Sequence, residues 1–287
     1  MHADPSPTLP ASPVVRSPGV PLLFKASVAC HLGAGAAVLA MPLEWPWAVG
    51  AVALNHAVLT GSGLWPRSTW LGPNLRRLPA AAIRRGEVAI TIDDGPDPDV
   101  TPAVLDLLDA HRAQATFFCI ADRAHRHPAL CREIVRRGHS VQNHSQRHSH
   151  GFSLLGPRGF QREIGAAQQT LAGITGQVPR FFRAPAGLRN PLLGPVLRRL
   201  ELQLVSWTRR GYDTVQRSPA KVLARLARGL AAGDILLMHD GNAARDDNGQ
   251  PIVLSVLPHL LHRVDELGLH AVGLAGGADV ECAAHQA

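Results

Sequence analysis

The stretch TIDDGPDPDVTP, residues 91–102, ends an apolar run with two adjacent carboxylates and then opens a turn. It predicts the carboxyl end of a buried strand and a candidate site at that end. A strand alternates its side chains between two faces, but a strand end that passes into Gly95 and Pro96 lets Asp93 and Asp94 point at one place. One carboxylate of such a pair is able to bind a cation while the other accepts a proton from an attacking water. A solvated turn has the same composition, so the pair alone leaves both interpretations open.

The sequence that follows alternates short apolar runs with amphipathic helical patterns, which is typical of βαβ units and a parallel sheet. Seven strands are predicted, at residues 88–92, 115–120, 140–143, 180–183, 203–207, 235–239 and 269–273. Seven strands that are each followed by a helix favour an α/β fold, a distorted (β/α)7 barrel with its catalytic groups at the carboxyl ends of the strands. An open doubly wound sheet is the rival fold, but no GxGxxG follows the first strand.

Two uncharged runs precede the predicted barrel, at residues 26–43 and 45–65. Each is close to the roughly 20 residues that cross a bilayer. Trp45, Trp47 and Trp65 stand at the ends of the second run, where an aromatic belt would place them. We expect two N-terminal transmembrane helices that form a hairpin over residues 21–66. The alternatives are a buried helical pair in a soluble protein and a cleaved signal peptide.

The charges that flank these runs predict an orientation. Arg16 and Lys25 precede the first run, and five arginines follow the second, at positions 67, 76, 77, 84 and 85. The positive-inside rule therefore puts both ends of the hairpin in the cytoplasm, and the large domain at the inner face of a bacterial-type inner membrane. A periplasmic or extracellular domain is the alternative.

The remaining segments follow from composition. Residues 1–20 hold five prolines among small residues and are predicted to be a disordered tail. Residues 67–86 are predicted to be a basic linker, 87–275 the catalytic domain and 276–287 a second tail. Four cysteines without a CxxC spacing indicate neither a zinc knuckle nor a disulfide scaffold.

The formal charge of +7 and the pI of about 10.2 are compatible with nucleic acid or with an anionic membrane surface. The densest group of arginines precedes the predicted barrel rather than covering one of its faces. Attraction to anionic lipid therefore explains the basic pI, and no nucleic-acid partner is expected.

Chemically active side chains follow five of the predicted strands. They are Asp93 and Asp94, then His144 and His148, then Arg183, then Trp207 and Asp213, and finally His239 and Asp240. Two histidines separated by three residues are able to point their imidazoles at one ion, and one carboxylate would complete a His2Asp site. Taken alone, the histidine spacing is also that of a His-rich polar loop.

Five segments in this order carry a family resemblance: TIDDG at 91–95, HSQRH at 144–148, RAPAG at 183–187, SWTRRGYD at 206–213 and LLMHD at 236–240. They resemble the five motifs of the polysaccharide deacetylases, the NodB-homology domain of carbohydrate esterase family four. The resemblance covers roughly residues 87–273.

The resemblance implies a role for each matching residue. Asp93 would be the general base and Arg183 its ion-pair partner, while His239 would be the general acid, supported by Asp213. The implied metal ligands are Asp94, His144 and His148, and the implied substrate-binding residues are Trp207, Leu237 and Ala186. The implied cofactor is one divalent metal, with Zn²⁺ expected and Co²⁺, Ni²⁺ or Mn²⁺ as alternatives.

Two motifs depart from the family pattern. The third usually has an aromatic residue after its proline, but here Pro185 is followed by Ala186. The backbone N–H of Ala186 remains able to donate to an oxyanion, whereas a substrate-facing ring is lost. The fourth motif lacks the usual paired aspartates, which makes Asp213 the least secure of the implied roles.

The sequence thus predicts a metal-dependent hydrolase that removes an N-acetyl or similar acyl group from an amino sugar. The expected partners are a membrane and an N-acetylated glycan, either a polysaccharide or a lipid-linked amino sugar. The first alternative is a catalytically inactive, carbohydrate-binding relative, which would usually lack Asp93 or a ligand. A basic nucleic-acid-binding protein is the lesser alternative.

Overall fold

The computed structural model describes residues 20–274. Nearly all of the predicted tail at residues 1–20, the second tail at 276–287 and Cys282 lie outside this range. The described helices are α1 (Leu22–Ala40), α2 (Trp45–Leu64), α3 (Ala80–Arg84), α4 (Thr101–Ala110), α5 (Ala121–Arg126), α6 (Pro128–Arg136), α7 (Pro157–Thr175), α8 (Leu193–Arg199), α9 (Pro219–Ala227) and α10 (Ile252–Glu266).

The first two helices form the N-terminal hairpin, with a short 3₁₀ turn at Pro42–Glu44 between them. Among the described helices, only α1 is long and apolar enough to cross a bilayer. Its mean hydropathy is 1.6, and Ser27 is its one buried residue. Signal sequences share this length and composition. The prediction of two membrane-crossing helices is therefore corrected to one candidate, because α2 contains Asn55, His56 and three glycines that lower its hydropathy.

Polar side chains of the two helices face one another across the hairpin. Asn55 Nδ2 donates a hydrogen bond of 3.0 Å to Ser27 Oγ, and the Nε2 atoms of His31 and His56 lie 3.3 Å apart. These contacts pair polar groups that would otherwise stand isolated in two apolar helices.

The large domain is built on one curled parallel sheet. Its strands are β1 (Glu87–Asp93), β2 (Ala115–Cys119), β3 (Ser140–Asn143), β4 (Phe181–Phe182), β5 (Gln203–Leu204), β6 (Arg209–Arg210), β7 (Ile235–His239) and β8 (His270–Val272). The order is β5-β4-β3-β2-β1-β7-β6, and β8 pairs with the first residues of β1. All seven predicted strands are present, two of them (β3 and β7) with the predicted ends and the other five with shifted ends, and β6 is an eighth that the pattern does not predict.

The two ends of this sheet belong to one stretch of chain. β5 pairs with β4 and β6 pairs with β7, yet only residues 205–208 separate β5 from β6. The sheet therefore curls into a half-barrel. It differs from the predicted seven-stranded barrel in that its two end strands do not pair but are joined by the bent segment 205–208. An open doubly wound sheet, the rival fold, is not observed in the described chain.

Both faces of β1 are buried, which explains its unbroken apolar run. Val88, Ile90 and Ile92 pack against the surrounding helices, in the same core as residues of α4 and α10. The alternate residue Ala89 packs inside the curl with Phe118, Ile235 and Leu237. Because side chains alternate along a strand, Thr91 and Asp93 also point inside the curl.

Residues 67–86, which the composition predicts to be a basic linker, are packed against the domain. Leu75 forms a bridge to Val205, and Arg77 forms one to Asp234. Leu78 is buried in the core inside the curl. The segment fills the space that opens between β5 and the start of β7, which gives its apolar residues a place to be buried.

Candidate active site and metal centre

The aspartate doublet lies at the carboxyl end of β1. Asp93 is the last residue of the strand and faces the interior, whereas Asp94 has a φ of 72°. A left-handed backbone is unfavourable for a non-glycine residue and is concentrated at functional sites. This conformation turns the chain at Asp94, so that both carboxylates face the same side instead of alternating. Both are buried.

Three of the predicted residues converge on one point. Asp94 Oδ1 lies 3.2 Å from His144 Nε2 and 3.3 Å from His148 Nε2. One potential ligand atom from each of these residues lies within 4.8 Å of the others. His144 Nδ1 is 2.8 Å from the carbonyl oxygen of Arg183, so Nδ1 carries the proton and Nε2 presents a lone pair.

The donor set fits a divalent cation. Asp94 Oδ1 is buried and has no hydrogen-bond donor among the described residues, although it faces both imidazoles. Burial acts to raise the pKa of Asp94, but the interaction with His144 and the charges of His239 and His148 hold it well below its usual value. Two imidazole nitrogens and one carboxylate oxygen are a set that zinc and related metals bind, with further positions left open.

Asp93 is held by Arg183 beside this cluster. Arg183 Nη1 donates to Asp93 Oδ1 at 2.6 Å and to Thr91 Oγ1 at 2.8 Å, and its guanidinium carbon lies 4.1 Å from the centre of the Phe118 ring. The other carboxylate oxygen of Asp93 is 3.8 Å from His144 Nε2. Burial lowers the pKa of Arg183, and Asp93 opposes that effect. One oxygen of Asp93 is thus fixed, and the other faces the cluster of Asp94, His144 and His148.

His239 lies on β7 directly beside Asp93, its partner in the strand register. Asp213 receives hydrogen bonds from His239 Nδ1 at 2.9 Å and from the His239 backbone N–H at 2.8 Å. Burial alone would lower the pKa of His239, but the charge and hydrogen bond of Asp213, with further contributions from Asp93 and Asp94, raise it to about 9. The imidazole is therefore positioned and protonated at neutral pH.

The predicted substrate-binding residues occupy different depths. Trp207 is largely buried beside Gly187, with the guanidinium of Arg210 5.3 Å from its ring centre. Leu237 is almost fully buried inside the curl. Ala186 is exposed and has a φ of 54°, in a 3₁₀ turn directly after β4. Of the three, Ala186 is the most accessible to a substrate, whereas Trp207 and Leu237 are buried.

Two residues that the sequence did not indicate hold Asp94 in place. Asn242 Nδ2 donates to Asp94 Oδ2 at 3.0 Å, and Arg123 donates to the Asp94 carbonyl oxygen at 2.9 Å and to Asn242 Oδ1 at 2.8 Å. These contacts leave Oδ1 as the oxygen that faces the histidines. The left-handed backbone of Asn242, with a φ of 57°, is a further mark of a constrained site.

Asp240, which had no predicted role, holds the loop after β1 against the loop after β7. It accepts a hydrogen bond of 2.5 Å from Thr101 and one of 2.8 Å from the backbone of Gly241, and its carboxyl lies against Gly95 where a Cβ would not fit. Burial raises the pKa of Asp240 to about 7, against the effect of these hydrogen bonds.

Comparisons with known proteins agree with this geometry. The polysaccharide deacetylase profile matches residues 81–205. A peptidoglycan-N-acetylglucosamine deacetylase of Bacillus cereus is 31% identical over 206 residues, which are 67% of this chain and 85% of the relative. The chain belongs to the polysaccharide deacetylase family.

Other deacetylases extend the comparison. A chitooligosaccharide deacetylase of Azorhizobium caulinodans is 34% identical over 165 residues, 56% of this chain and 78% of that protein. Among solved structures, a family 4 carbohydrate esterase from Streptomyces lividans, in complex with acetate, has 32% identity and a TM-score of 0.59. That similarity covers 65% of this chain and 91% of the esterase. Deacetylases of this family use a divalent metal, and the Asp94, His144 and His148 cluster is a possible site for it.

Proposed function

We propose that this protein is a metal-dependent glycan N-deacetylase, a hydrolase that removes an N-acetyl or similar acyl group from an amino sugar. The observation that carries the proposal is the convergence of three lone-pair atoms, from Asp94, His144 and His148, beside two charged pairs at one end of the sheet. The names of the relatives, which include peptidoglycan and chitooligosaccharide deacetylases, support the same reaction class.

The chain's own residues divide the proton transfers between them. Asp93 accepts the proton of the attacking water with the oxygen that Arg183 leaves free. His239, oriented by Asp213 and protonated at neutral pH, donates a proton to the departing nitrogen. Ala186 is an exposed residue, and its backbone N–H would stabilise the developing oxyanion.

Asp94, His144 and His148 would hold one divalent metal, for which Zn²⁺ is the first choice and Co²⁺, Ni²⁺ and Mn²⁺ are alternatives. Imidazole and carboxylate ligands suit all four ions, and a set of three protein ligands is typical of catalytic zinc. When bound, such an ion polarises the amide carbonyl and lowers the pKa of water.

The N-terminal hairpin would anchor the catalytic domain at a membrane. The apolar, mostly exposed α1 supports this part of the proposal, and the arginines that follow α2 favour a cytoplasmic orientation. In this proposal the membrane anchor comprises residues 21–66 and the catalytic domain comprises residues 87–275. The substrate would be an N-acetylated polysaccharide or a lipid-linked amino sugar, of which only the second is accessible from the cytoplasm.

Acetate release from N-acetylated chitooligosaccharides tests the proposal. Wild type is expected to release acetate, to lose that activity when a chelator removes the metal, and to regain it with zinc. Asp93→Asn should reduce the rate by about 10²–10⁴-fold, because the proton acceptor is lost. Asp99→Asn makes the same change at an exposed position of the following loop and should leave the rate unchanged.

The zinc content of Asp93→Asn and Asp99→Asn shows whether Asp93 acts as the base rather than as a metal ligand. Asp93→Asn should retain stoichiometric zinc, since the proposed ligands are intact. Equal acetate release from wild type and Asp93→Asn would overturn the mechanism. Undiminished release after metal removal would overturn the metal requirement.

A further inference from the structure

The base of the N-terminal hairpin, at the start of α1 and the end of α2, is joined to the loop after β4, which carries Ala186. The Arg189 backbone N–H donates a hydrogen bond of 3.2 Å to the carbonyl oxygen of Gly63, and the Arg189 side chain donates to that of Ser68. The backbone of Gly63 lies so close to the Arg189 carbonyl that a Cβ would not fit between them. At the other end of the hairpin, Pro21 lies against Gly72. Both ends of the hairpin therefore meet the domain in one region.

This region adjoins the proposed active site through packed contacts. A Cβ on Gly187 would lie 2.7 Å from Pro66 and 2.6 Å from Trp207, so the three residues are in tight contact. The Trp207 ring centre lies 5.9 Å from the guanidinium of Arg183, which holds Asp93. The residues that end α2 are thus separated from the proposed base only by Gly187, Trp207 and Arg183.

Apolar side chains are exposed around the same base. Trp65 and Trp70 follow α2, Leu192 lies in the loop after β4, and Leu154, 87% exposed, lies in the loop after β3. Asn190 ties the two loops together by donating to the carbonyl oxygens of Ser153 and Leu155, at 2.8 and 2.9 Å. We call these four residues, together with Arg67, Arg158, Arg162, Arg198 and Arg199, the interfacial patch.

The charge of the patch has a single sign. The segments that contribute to it, residues 64–79, 149–162 and 184–200, contain no aspartate or glutamate. None of its five arginines forms an ion pair within the described chain, whereas Arg77, Arg137, Arg147 and Arg209 elsewhere on the domain do. Exposed tryptophan and leucine beside unpaired arginine is the composition of a surface that binds anionic lipid headgroups.

We propose that the interfacial patch lies on an anionic lipid bilayer, so that the active site opens toward the membrane and takes its amino sugar from the plane of the lipid. With α1 across the bilayer, its first turn lies at the headgroups, and the domain surface next to that turn carries the patch and the loops after β3 and β4. The inference rests on the membrane-anchor part of the proposed function and is independent of the deacetylation chemistry.

Depth-dependent fluorescence quenching tests the orientation in the full chain. In a background of Cys30→Ser and Cys282→Ser, a fluorophore is attached through Leu39→Cys in α1, Leu154→Cys in the patch, or Ala110→Cys. Ala110 is exposed at the end of α4, where the chain returns to the amino ends of the strands, and it serves as the control. The protein is reconstituted in vesicles of phosphatidylglycerol and phosphatidylcholine that contain a headgroup nitroxide lipid.

We expect quenching at Leu154→Cys to exceed that at Ala110→Cys several-fold, and to decrease in vesicles of phosphatidylcholine alone. Charge reversal by Arg158→Glu with Arg162→Glu should weaken quenching at position 154. A single charge reversal at Arg132, which is exposed and forms no ion pair with another described residue, should not.

Equal quenching at 154 and 110 would overturn the proposed orientation, even if Leu39→Cys shows that the hairpin is inserted. An absence of quenching at position 39 with a tail-labelled nitroxide lipid would overturn the anchor and the orientation together. Acetate release from soluble oligosaccharides, measured on the same labelled proteins, reports on the deacetylase proposal separately from either result.

Discussion

Replacement of Asp213 by asparagine should displace the alkaline limit of activity. Asp213 contributes the charge and the hydrogen bond that raise the pKa of His239 from 6.5 to about 9 against the effect of burial. Without that carboxylate, burial remains and is opposed only by the smaller contributions of Asp93 and Asp94, so the pKa should fall toward 6.5. An acid catalyst acts in its protonated form, which is present below its pKa and is lost as the pH rises through it. The variant should therefore lose activity at a lower pH than wild type.

The size of the effect follows from the two pKa values. At pH 8 the protonated fraction of His239 falls from about 90% with a pKa of 9 to about 3% with a pKa of 6.5, roughly a thirtyfold loss. At pH 6 the two proteins should differ much less. A bound cation lowers the pKa of His239 in both proteins, so the displacement between their curves is the quantity that is tested.

The assay is kcat for acetate release as a function of pH, with saturating zinc and a soluble N-acetylated oligosaccharide. Asp99→Asn, an exposed site with the same substitution, should follow the wild-type curve. Thermal unfolding by circular dichroism at each pH shows whether the variants remain folded. If folded Asp213→Asn lost activity at the same pH as wild type, the assignment of Asp213 as the group that keeps His239 protonated would be refuted.

Two further substitutions test the support of the site. Asn242→Ala should weaken zinc binding about 10–100-fold, because the hydrogen bond that orients Asp94 is lost, as measured by competition with a chelator. Asn248→Ala, at an exposed position further along the same loop, should bind zinc like wild type. Equal affinities of the two variants would contradict the role of Asn242. Arg183→Met should lower the free energy of unfolding in urea by about 3–5 kcal/mol, because it leaves a buried carboxylate unpaired. Arg180→Met at an exposed site is the control, and a loss no larger than the control's would contradict the ion pair.

The features that the sequence predicts well are those with a strong local pattern. β1 is apolar on both faces and its aspartates end the run, so its position and the place of Asp93 inside the curl could both be expected. The histidines are four residues apart, and their convergence with Asp94 follows from parallel strands whose carboxyl ends meet at one edge.

Features that depend on tertiary contacts left no such pattern. β6 consists of Arg209 and Arg210, which no strand propensity indicates, and it forms because the bent segment after β5 reaches β7. Asn242 is an exposed residue of a loop, so its contact with Asp94 depends on how that loop folds back. The composition of residues 67–86 shows their charge but not the gap that Leu75 and Leu78 fill.

The position of β1 in the sheet also sets an order of assembly during synthesis. The strand that carries Asp93 pairs with β2 about 25 residues later, but also with β7 and β8, which follow it by about 145 and 180 residues. Contacts so distant in sequence form late, since a long loop must close before they are made. On the ribosome, the three proposed metal ligands emerge well before His239. The proposed metal ligands are thus synthesised well before the catalytic site is complete, and hydrolysis must wait for β7, which carries His239.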